Sequence, residues 1–174
     1  FHQLAEQMFA TARRQQANVA LMVIDINRFA TVNDSLGHEI GDELLRQVGQ
    51  RLRHALREED ILSRFGGDEF VVALSIQKRE HCGLVAEKLL DTLKPLFVIG
   101  SHALHIEASI GIATLPEDGQ SPDDLQRAAD VAMKRVQQAG DSGYLFFGPT
   151  MNFRAKELWQ LEGELRQALA ENAL

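Results

Sequence analysis

The chain has 174 residues, of which 45% are hydrophobic and 25% charged, and this ordinary globular composition excludes a mainly disordered protein. A net charge of −7 argues against sequence-independent binding of nucleic acid and against contact with an anionic membrane. The length suits one domain, no apolar run is long enough to span a membrane, and the one cysteine, Cys82, forms no intrachain disulfide. We therefore expect a cytoplasmic domain that belongs to a longer protein, because the chain opens inside a helical pattern.

The first half of the chain predicts a strand that ends on an acidic residue and a hairpin with acids in its turn. A continuous apolar, β-branched run is typical of a strand buried on both faces, and this run ends at Asp25. The stretch 33–41 is polar and carries two glycines. The predicted elements are a helix at the N-terminus, a strand at 19–24, a helix at 40–56 and hairpin strands at 61–65 and 70–74.

The second half completes a split β-α-β pattern. Its predicted elements are a helix at 82–96, a strand at 104–115, a helix at 123–139, a strand at 144–147 and a helix from 151 onward. The order β-α-β-β-α-β predicts an α+β fold of the ferredoxin-like type, with an antiparallel sheet, flanking helices and a C-terminal connector helix. We expect one domain at 1–150 and the connector at 151–174.

Three acidic residues are the candidate site. Asp25 ends the first strand, while Asp68 and Glu69 lie in the hairpin turn. We expect the first strand and the hairpin strands to lie side by side in the middle of the sheet, so that the three carboxylates converge at one edge. Carboxylates held together repel one another unless a cation lies between them, and oxygen ligands with substrate phosphates favour Mg²⁺.

Two glycines, Gly66 and Gly67, precede the acids of the hairpin turn. Without side chains they would let a phosphate or a nucleoside approach the backbone closely. Taken without any wider pattern, a Gly-Gly-Asp-Glu turn is more often a hairpin turn with solvated acids than a binding site, and the residues themselves leave both interpretations open.

A wider pattern is present. Residues 64–70 read RFGGDEF and resemble the signature of the GGDEF family, the diguanylate cyclases. Four further segments resemble blocks of that family in the family's order. They are DINRFATVND at 25–34, GHEIGDELL at 37–45, SIGIA at 109–113 and ADVAM at 129–133. The resemblance therefore covers nearly the whole chain.

The resemblance implies an activity and a set of metal ligands. Members of the family condense two GTP molecules into cyclic di-GMP with release of pyrophosphate, on a fold like the palm of nucleotide cyclases and polymerases. It implies that Asp25 and Asp68 hold magnesium with help from the Ile26 carbonyl, with a pair of Mg²⁺ ions, or Mn²⁺, in each active site. Asp68 or Glu69 would help to deprotonate the 3′-hydroxyl, and a homodimer would bring two GTP molecules face to face.

The resemblance also assigns the guanine contacts and a second site. Asn33 and Asp42 would bind the guanine edge, since a carboxylate accepts from the N1 and N2 donors of guanine and an amide pairs both ways. Arg57 and Asp60 resemble the R-x-x-D motif at which these enzymes bind their product and are inhibited. An ion pair at a helix end explains the same spacing equally well.

The phosphate-binding part of the pattern is altered. The second Asp of the family's D-x-D block is Asn27 here, and its Lys after the Phe is Ala30. The Lys and Arg that follow the ADVAM helix are Gln137 and Asp141. Each charge-assisted hydrogen bond is worth roughly 1.5–3 kcal/mol, so two losses would weaken triphosphate binding by orders of magnitude unless a cation such as Lys134 compensates.

Three functions remain open at this point. The first is an active cyclase, and the second is a domain that binds GTP or cyclic di-GMP without turnover and regulates an attached phosphodiesterase. The third is a dimerisation scaffold without nucleotide. Residues 146–152 and the amphipathic pattern after them resemble the connector into an EAL phosphodiesterase domain, although a helix packed on its own domain would look similar. An upstream sensor domain is a further expected partner.

Overall fold

The computed structural model describes residues 1–140 and 142–148, and this part contains five helices and seven strands. The helices are α1 (His2–Gln15), α2 (Phe29–Leu36), α3 (His38–Ala55), α4 (His81–Thr92) and α5 (Pro122–Gln138). The strands are β1 (Asn18–Ile26), β2 (Ile61–Phe65), β3 (Glu69–Ile76), β4 (Phe97–Ile99), β5 (His102–Leu104), β6 (Ala108–Leu115) and β7 (Gly143–Phe146). The predicted connector helix at 151–174 lies outside the described residues.

The main sheet has five strands in the order β2-β3-β1-β6-β7. β1 is antiparallel to both of its neighbours, β3 and β6, while β7 runs parallel to β6. This is the predicted ferredoxin-like α+β arrangement, extended by α5 and β7, with β4 and β5 as a separate two-stranded ribbon. The expectation that both hairpin strands lie in the middle is wrong for β2, which is an edge strand.

Two apolar layers cover the two faces of the sheet. Odd-numbered residues of β1, such as Val19, Leu21 and Val23, pack with α1 and α5. Even-numbered residues, such as Met22 and Ile24, pack with α3 and α4. Because successive side chains of a strand point to opposite faces, a strand that is covered on both sides must be apolar throughout, and this explains the continuous run in the sequence.

The position of α5 is set by a close approach to the sheet. A Cβ added at Gly111 of β6 would lie 1.8 Å from the carbonyl oxygen of Ala129 and 2.4 Å from the amide nitrogen of Met133. Only glycine permits this spacing, so the backbone of α5 rests directly on β6. The last turns of α5 are thereby held over the carboxyl end of β1.

The structure differs from the sequence-based boundaries in three places. The stretch after Asp25 contains the helix α2, and Gly37, with φ of 94°, is the one residue between α2 and α3. α4 ends at Thr92 because Pro95 disfavours helical backbone at the residue before it. The predicted strand at 104–115 begins later, as β6 at Ala108, while Leu104 is the last residue of β5, which pairs with β4.

Candidate functional site

Asp25 is the centre of the candidate site. It lies near the carboxyl end of β1, where its register partners are Glu69 on β3 and Ser109 on β6. It continues the alternation of Leu21 and Val23, so its side chain is on the face of the sheet that α5 covers. The strand register thus places the first predicted metal ligand beside the start of the hairpin's second strand and under a helix.

The carboxylate of Asp25 is only partly satisfied by the protein. The side-chain amide of Gln137 donates to Oδ2 at 2.8 Å. Oδ1 is buried and has no hydrogen-bond partner among the described residues. Burial, followed by the neighbouring carboxyl group of Asp68, raises the pKa of Asp25 to about 7. With both carboxylates ionised neither can donate to the other, so they repel.

The hairpin turn is tied to the end of β1. The amide of Ile26 donates to the carbonyl oxygen of Asp68 at 3.3 Å, and Nε of Arg64 donates to the carbonyl oxygen of Gly67 at 3.1 Å. Gly66 takes φ of 63°, a left-handed conformation that glycine adopts without strain. These contacts bring the predicted ligands Asp25, Ile26 and Asp68 together, as expected from the sequence.

Glu69 faces α5 beside Asp130. Burial and the nearby Asp130 carboxylate raise the pKa of Glu69. Asp130 also receives an ion pair from Nζ of Lys134 at 2.9 Å, and the Lys134 side chain is 62% exposed. Lys134 therefore lies on the helix face that carries Asp130 and Gln137, at i, i+4 and i+7 spacing, but its charge is already engaged by Asp130.

The carboxylates of this site offer oxygen ligands to a divalent cation. Among the described residues, no group of three or more His, Cys, Asp or Glu side chains has the arrangement of a complete metal site. The pair formed by Asp25 and Asp68 nevertheless fits such a cation, because a buried oxygen without a donor lies beside a second carboxylate. An ion that takes few protein ligands and several water or phosphate oxygens, as Mg²⁺ does, is compatible with this pair.

The two residues predicted to bind guanine lie at the contact between α2 and α3. The Asn33 side chain packs against Gly41, where an added Cβ would lie 1.8 Å from Asn33 Oδ1. That oxygen is buried and has no hydrogen-bond partner in the described part of the chain. Asp42 follows Gly41 and is exposed on α3. The structure thus brings the two polar residues to neighbouring positions, and their predicted role in guanine binding stays a prediction.

The Arg57–Asp60 motif forms a closed turn after α3. Oδ2 of Asp60 accepts from the Arg57 amide at 2.9 Å, and Oδ1 accepts from the Arg57 guanidinium at 3.3 Å. The same guanidinium donates to the Ser75 carbonyl oxygen at 3.0 Å. Asp60 is 5% exposed and the Arg57 side chain 58% exposed. The structure therefore contains the Arg57–Asp60 ion pair that the i, i+3 spacing allows, and the Arg57 side chain still faces solvent.

Two features of the site escaped the sequence-based analysis. One is the contact of Gln137 with Asp25, and the other is the pairing of Lys134 with Asp130. The sequence shows that residues 130, 134 and 137 lie on one face of a helix. It does not show that this face contacts the end of β1. Gln137 also lines a groove of about 700 Å³ between α2, the 105–107 loop and the end of α5, together with Asn27 and Arg28. Asp141 lies outside the described residues.

Comparison with known proteins assigns the class. Residues 1–143 match the family model described as diguanylate cyclase, GGDEF domain. The chain belongs to the GGDEF family of diguanylate cyclases, and it is a domain of cyclic di-GMP signalling. The sheet order and the placement of Asp25 beside the hairpin agree with this assignment.

Two relatives and two solved structures show what the chain resembles. It is 40% identical over 169 residues to the bifunctional diguanylate cyclase/cyclic di-GMP phosphodiesterase MucR of Pseudomonas aeruginosa, covering 97% of this chain and 25% of MucR. It is 32% identical to the cyclic di-GMP phosphodiesterase NbdA of the same species, covering 100% of this chain and 22% of NbdA. The chain thus spans about a quarter of the length of these relatives.

The structural neighbours are GGDEF domains as well. The GGDEF domain of YfiN from P. aeruginosa superposes with a TM-score of 0.83 at 28% identity, covering 85% of this chain and 93% of that domain. An EAL/GGDEF domain protein from M. capsulatus has a TM-score of 0.75 at 42% identity, covering 82% and 93%. Within the part of the chain that the structure describes, no helix has the length and apolar character needed to cross a membrane.

Proposed function

We propose that this domain condenses two molecules of GTP into cyclic di-GMP and releases pyrophosphate. The observation that supports this most directly is the pair formed by Asp25 and Asp68, in which a buried carboxylate oxygen has no donor among the residues that the structure describes. A divalent cation, Mg²⁺ or Mn²⁺, would satisfy that oxygen and remove the repulsion between the two carboxylates. Family membership supplies the reaction in which such a pair is used.

The residues divide the work in the following way. Asp25 and Asp68 would hold the cation with the carbonyl oxygen of Ile26, in the family's manner a pair of ions in each site. The bound cation would supply a Lewis acid for the phosphate oxygens. Gly66 and Gly67 leave the backbone of the hairpin turn exposed, so that a phosphate can approach it.

The chemical step is a nucleotidyl transfer. The 3′-oxygen of one GTP forms a bond to the α-phosphorus of the other, and the bond from that phosphorus to pyrophosphate breaks. The proton of the 3′-hydroxyl passes to Asp68 or Glu69, and Glu69 is suited to accept it because its pKa is raised by burial and by Asp130. Each subunit would hold one GTP, so a homodimer is required.

Recognition of guanine is assigned to Asn33 and Asp42. Oδ1 of Asn33 is buried and has no partner within residues 1–140 and 142–148, and this supports the assignment, since such an oxygen destabilises the fold unless a donor satisfies it. Asp42 is exposed beside it and can accept from N1 and N2 of guanine. The triphosphate would then lie toward the hairpin and the end of α5.

The test is incubation of the purified domain with GTP and Mg²⁺ at high protein concentration, followed by chromatography for cyclic di-GMP. An Asp68→Ala variant is the control. Product from the wild type and none from the control supports the cyclase. Because a lone domain can dimerise weakly, the assay is repeated with a fused dimerisation module. Absence of product in both forms contradicts the proposed activity.

A regulatory domain without turnover is the second candidate. It is favoured by Gln137 at the position of the family's lysine and by the ion pair of Lys134 with Asp130, because both reduce the positive charge that is available to a triphosphate. In this case GTP and Mg²⁺ stabilise the domain against heat although no product forms. A scaffold that binds no nucleotide predicts no thermal shift with GTP.

We also propose how this domain is connected to neighbouring domains and where its product binds. Residues 1–150 would form the GGDEF domain and 151–174 a connector to an EAL phosphodiesterase domain, with a sensor domain upstream and a cytoplasmic location. The exposed guanidinium of Arg57, next to the buried Asp60, would bind cyclic di-GMP as an inhibitory product site. Inhibition by added product, lost in Arg57→Ala, tests that role.

A further inference from the structure

Gln137 joins the last helical turn of α5 to the end of β1. Its side-chain amide donates to Oδ2 of Asp25 at 2.8 Å across 112 positions of sequence. The helix that carries this amide lies close to the sheet, because a Cβ added at Gly111 would clash with the backbone of α5 at Ala129 and Met133. The fold thus places the amide beside the carboxylate that the proposed function assigns to a metal ion.

The contact leaves the two oxygens of Asp25 in different states. Oδ2 is bound by the amide, whereas Oδ1 is buried without a partner in the described part of the structure. A carboxylate with one oxygen anchored has its plane and rotamer restricted, so its other oxygen is presented in one direction. In metal sites, outer partners of this kind orient the ligand and raise its affinity for the ion.

The side-chain amide of Gln137 is a neutral donor, and its lack of charge affects how strongly a cation binds among the neighbouring carboxylates. Asp25, Asp68, Glu69 and Asp130 place four carboxyl groups at this end of the sheet, and Lys134 is paired with Asp130. A lysine at position 137 would place a cation beside Oδ2 of Asp25 and would compete electrostatically with a divalent ion bound at Oδ1. A glutamine donates a hydrogen bond without this competition.

We propose that Gln137 is a positioning residue for the carboxylate of Asp25, which strengthens binding of a divalent cation at Oδ1 while weakening the grip on nucleotide phosphates. This inference rests on the proposed function, because it takes Asp25 as a metal ligand. It gives a role to glutamine at position 137, where the family has a lysine. The glutamine strengthens the binding of the metal ion and weakens the binding of the nucleotide phosphates.

Direct measurement of Mn²⁺ binding tests the role apart from turnover. Free Mn²⁺ is followed by electron paramagnetic resonance at pH 8, in the wild type, in Gln137→Leu and in Gln138→Leu. Gln138 is the exposed neighbour on the same helix and is the matched control. We expect Gln137→Leu to weaken Mn²⁺ binding about tenfold, within the range known for outer partners of metal ligands, and Gln138→Leu to leave it unchanged.

Gln137→Lys is the second variant, and it separates positioning from a general packing effect. It retains a long polar side chain in a helix, and the metal-free melting temperature of each variant checks that the fold is intact. We expect weaker Mn²⁺ binding together with tighter binding of a non-reacting GTP analogue. A purely structural role for Gln137 would not move these two affinities in opposite directions.

The outcomes are distinguishable. If the wild type binds Mn²⁺ and folded Gln137→Leu and Gln137→Lys bind it equally well, the positioning role is overturned and the proposed function stands. If the wild type binds no Mn²⁺ with or without the GTP analogue, the metal site itself fails, and the inference fails with it. If Gln138→Leu weakens binding as much as Gln137→Leu, the effect belongs to the helix end, and the assignment to Gln137 is wrong.

Discussion

Asp25 and Asp60 both belong to family motifs, but their carboxylates differ in how many of their oxygens are hydrogen-bonded by the protein. Asp60 is buried with both oxygens bonded to its own turn, through the amide and the guanidinium of Arg57. Asp25 has one oxygen bonded to Gln137 and the other buried without a partner among the described residues. One acid completes the fold, while the other has hydrogen-bonding capacity left over.

The difference shows how a structural acid is told from a ligand-binding one. A buried polar atom without a partner destabilises the folded state, so its presence indicates a group that something else satisfies. A saturated acid stabilises the turn that it closes. On this criterion the region around Asp25 is the candidate binding site, and the buried side of the Arg57–Asp60 turn is primarily part of the fold.

The largest expected effect follows from Asp25→Asn. We expect cyclic di-GMP formation to fall by about 100-fold or more, since stabilisation by a metal ion is worth several kcal/mol and each 1.36 kcal/mol is tenfold in rate. The metal-free domain should become more stable, because the variant removes the repulsion from Asp68. Chromatography and thermal melting measure both effects. Asp34→Asn, at an exposed site on α2, is the control.

Substitution of Asp60 should have the opposite effect on stability. Asp60→Ala removes the acceptor for the Arg57 amide and guanidinium, and we expect a loss of about 1–3 kcal/mol in the free energy of unfolding. Glu59→Ala removes only an exposed ion pair and should change stability by less than about 1 kcal/mol. Urea denaturation compares them. Equal losses would contradict the assigned role of Asp60.

A smaller effect is expected on the dependence of stability on pH. The pKa of Asp25 in the folded protein is about 7, above its ordinary value of 3.8. Folding therefore favours the protonated form, and this contribution to stability is lost as pH rises from about 4 through 7. The metal-free domain should melt at a lower temperature at pH 8 than at pH 5.5, and Mg²⁺ should restore much of the difference.

Asp25→Asn isolates the part of this pH dependence that belongs to Asp25. Glu69 and Asp118 also have raised pKa values, chiefly through burial, and would contribute in the same direction. The melting temperature of Asp25→Asn should therefore fall less steeply between pH 5.5 and pH 8 than that of the wild type. An identical slope in the two proteins would mean that Asp25 is not the group concerned.

Arg57→Ala should destabilise the domain less than Asp60→Ala does. The backbone amide that bonds Asp60 remains in the variant, whereas Oδ1 of the buried Asp60 loses the mostly exposed guanidinium. We expect a loss of about 1 kcal/mol in the free energy of unfolding. If the exposed guanidinium also binds cyclic di-GMP, the same variant should lose product inhibition, and titration calorimetry with cyclic di-GMP would measure the lost affinity.

Much of the fold was predictable because burial leaves a local record in the sequence. The apolar run that forms β1 and the apolar period that forms α3 are both visible along the chain. α2 was missed because its sequence, FATVNDSL, is only eight residues long and fully buries Phe29 alone, which is too short a stretch to show a helical period. Its helical form depends on packing against α3, which no local pattern records.

The candidate site was predictable in part. Asp25, Asp68 and Glu69 were identified from their residue types and from the resemblance, and the register of β1 and β3 places Asp25 opposite Glu69. The predicted use of Lys134 for phosphate binding stays a prediction, and its ion pair with Asp130 is a contact that i, i+4 spacing allows but does not require.

The family blocks, the strand β1 and the acids of the hairpin turn are readable from the linear chain, because they are properties of consecutive or regularly spaced residues. Which of the acids are saturated is set by the fold. That depends on partners far apart in the chain, such as Gln137 for Asp25, whose meeting is set by the approach of α5 to Gly111. Hydrogen bonds act over about 3 Å in space, whatever the separation in sequence.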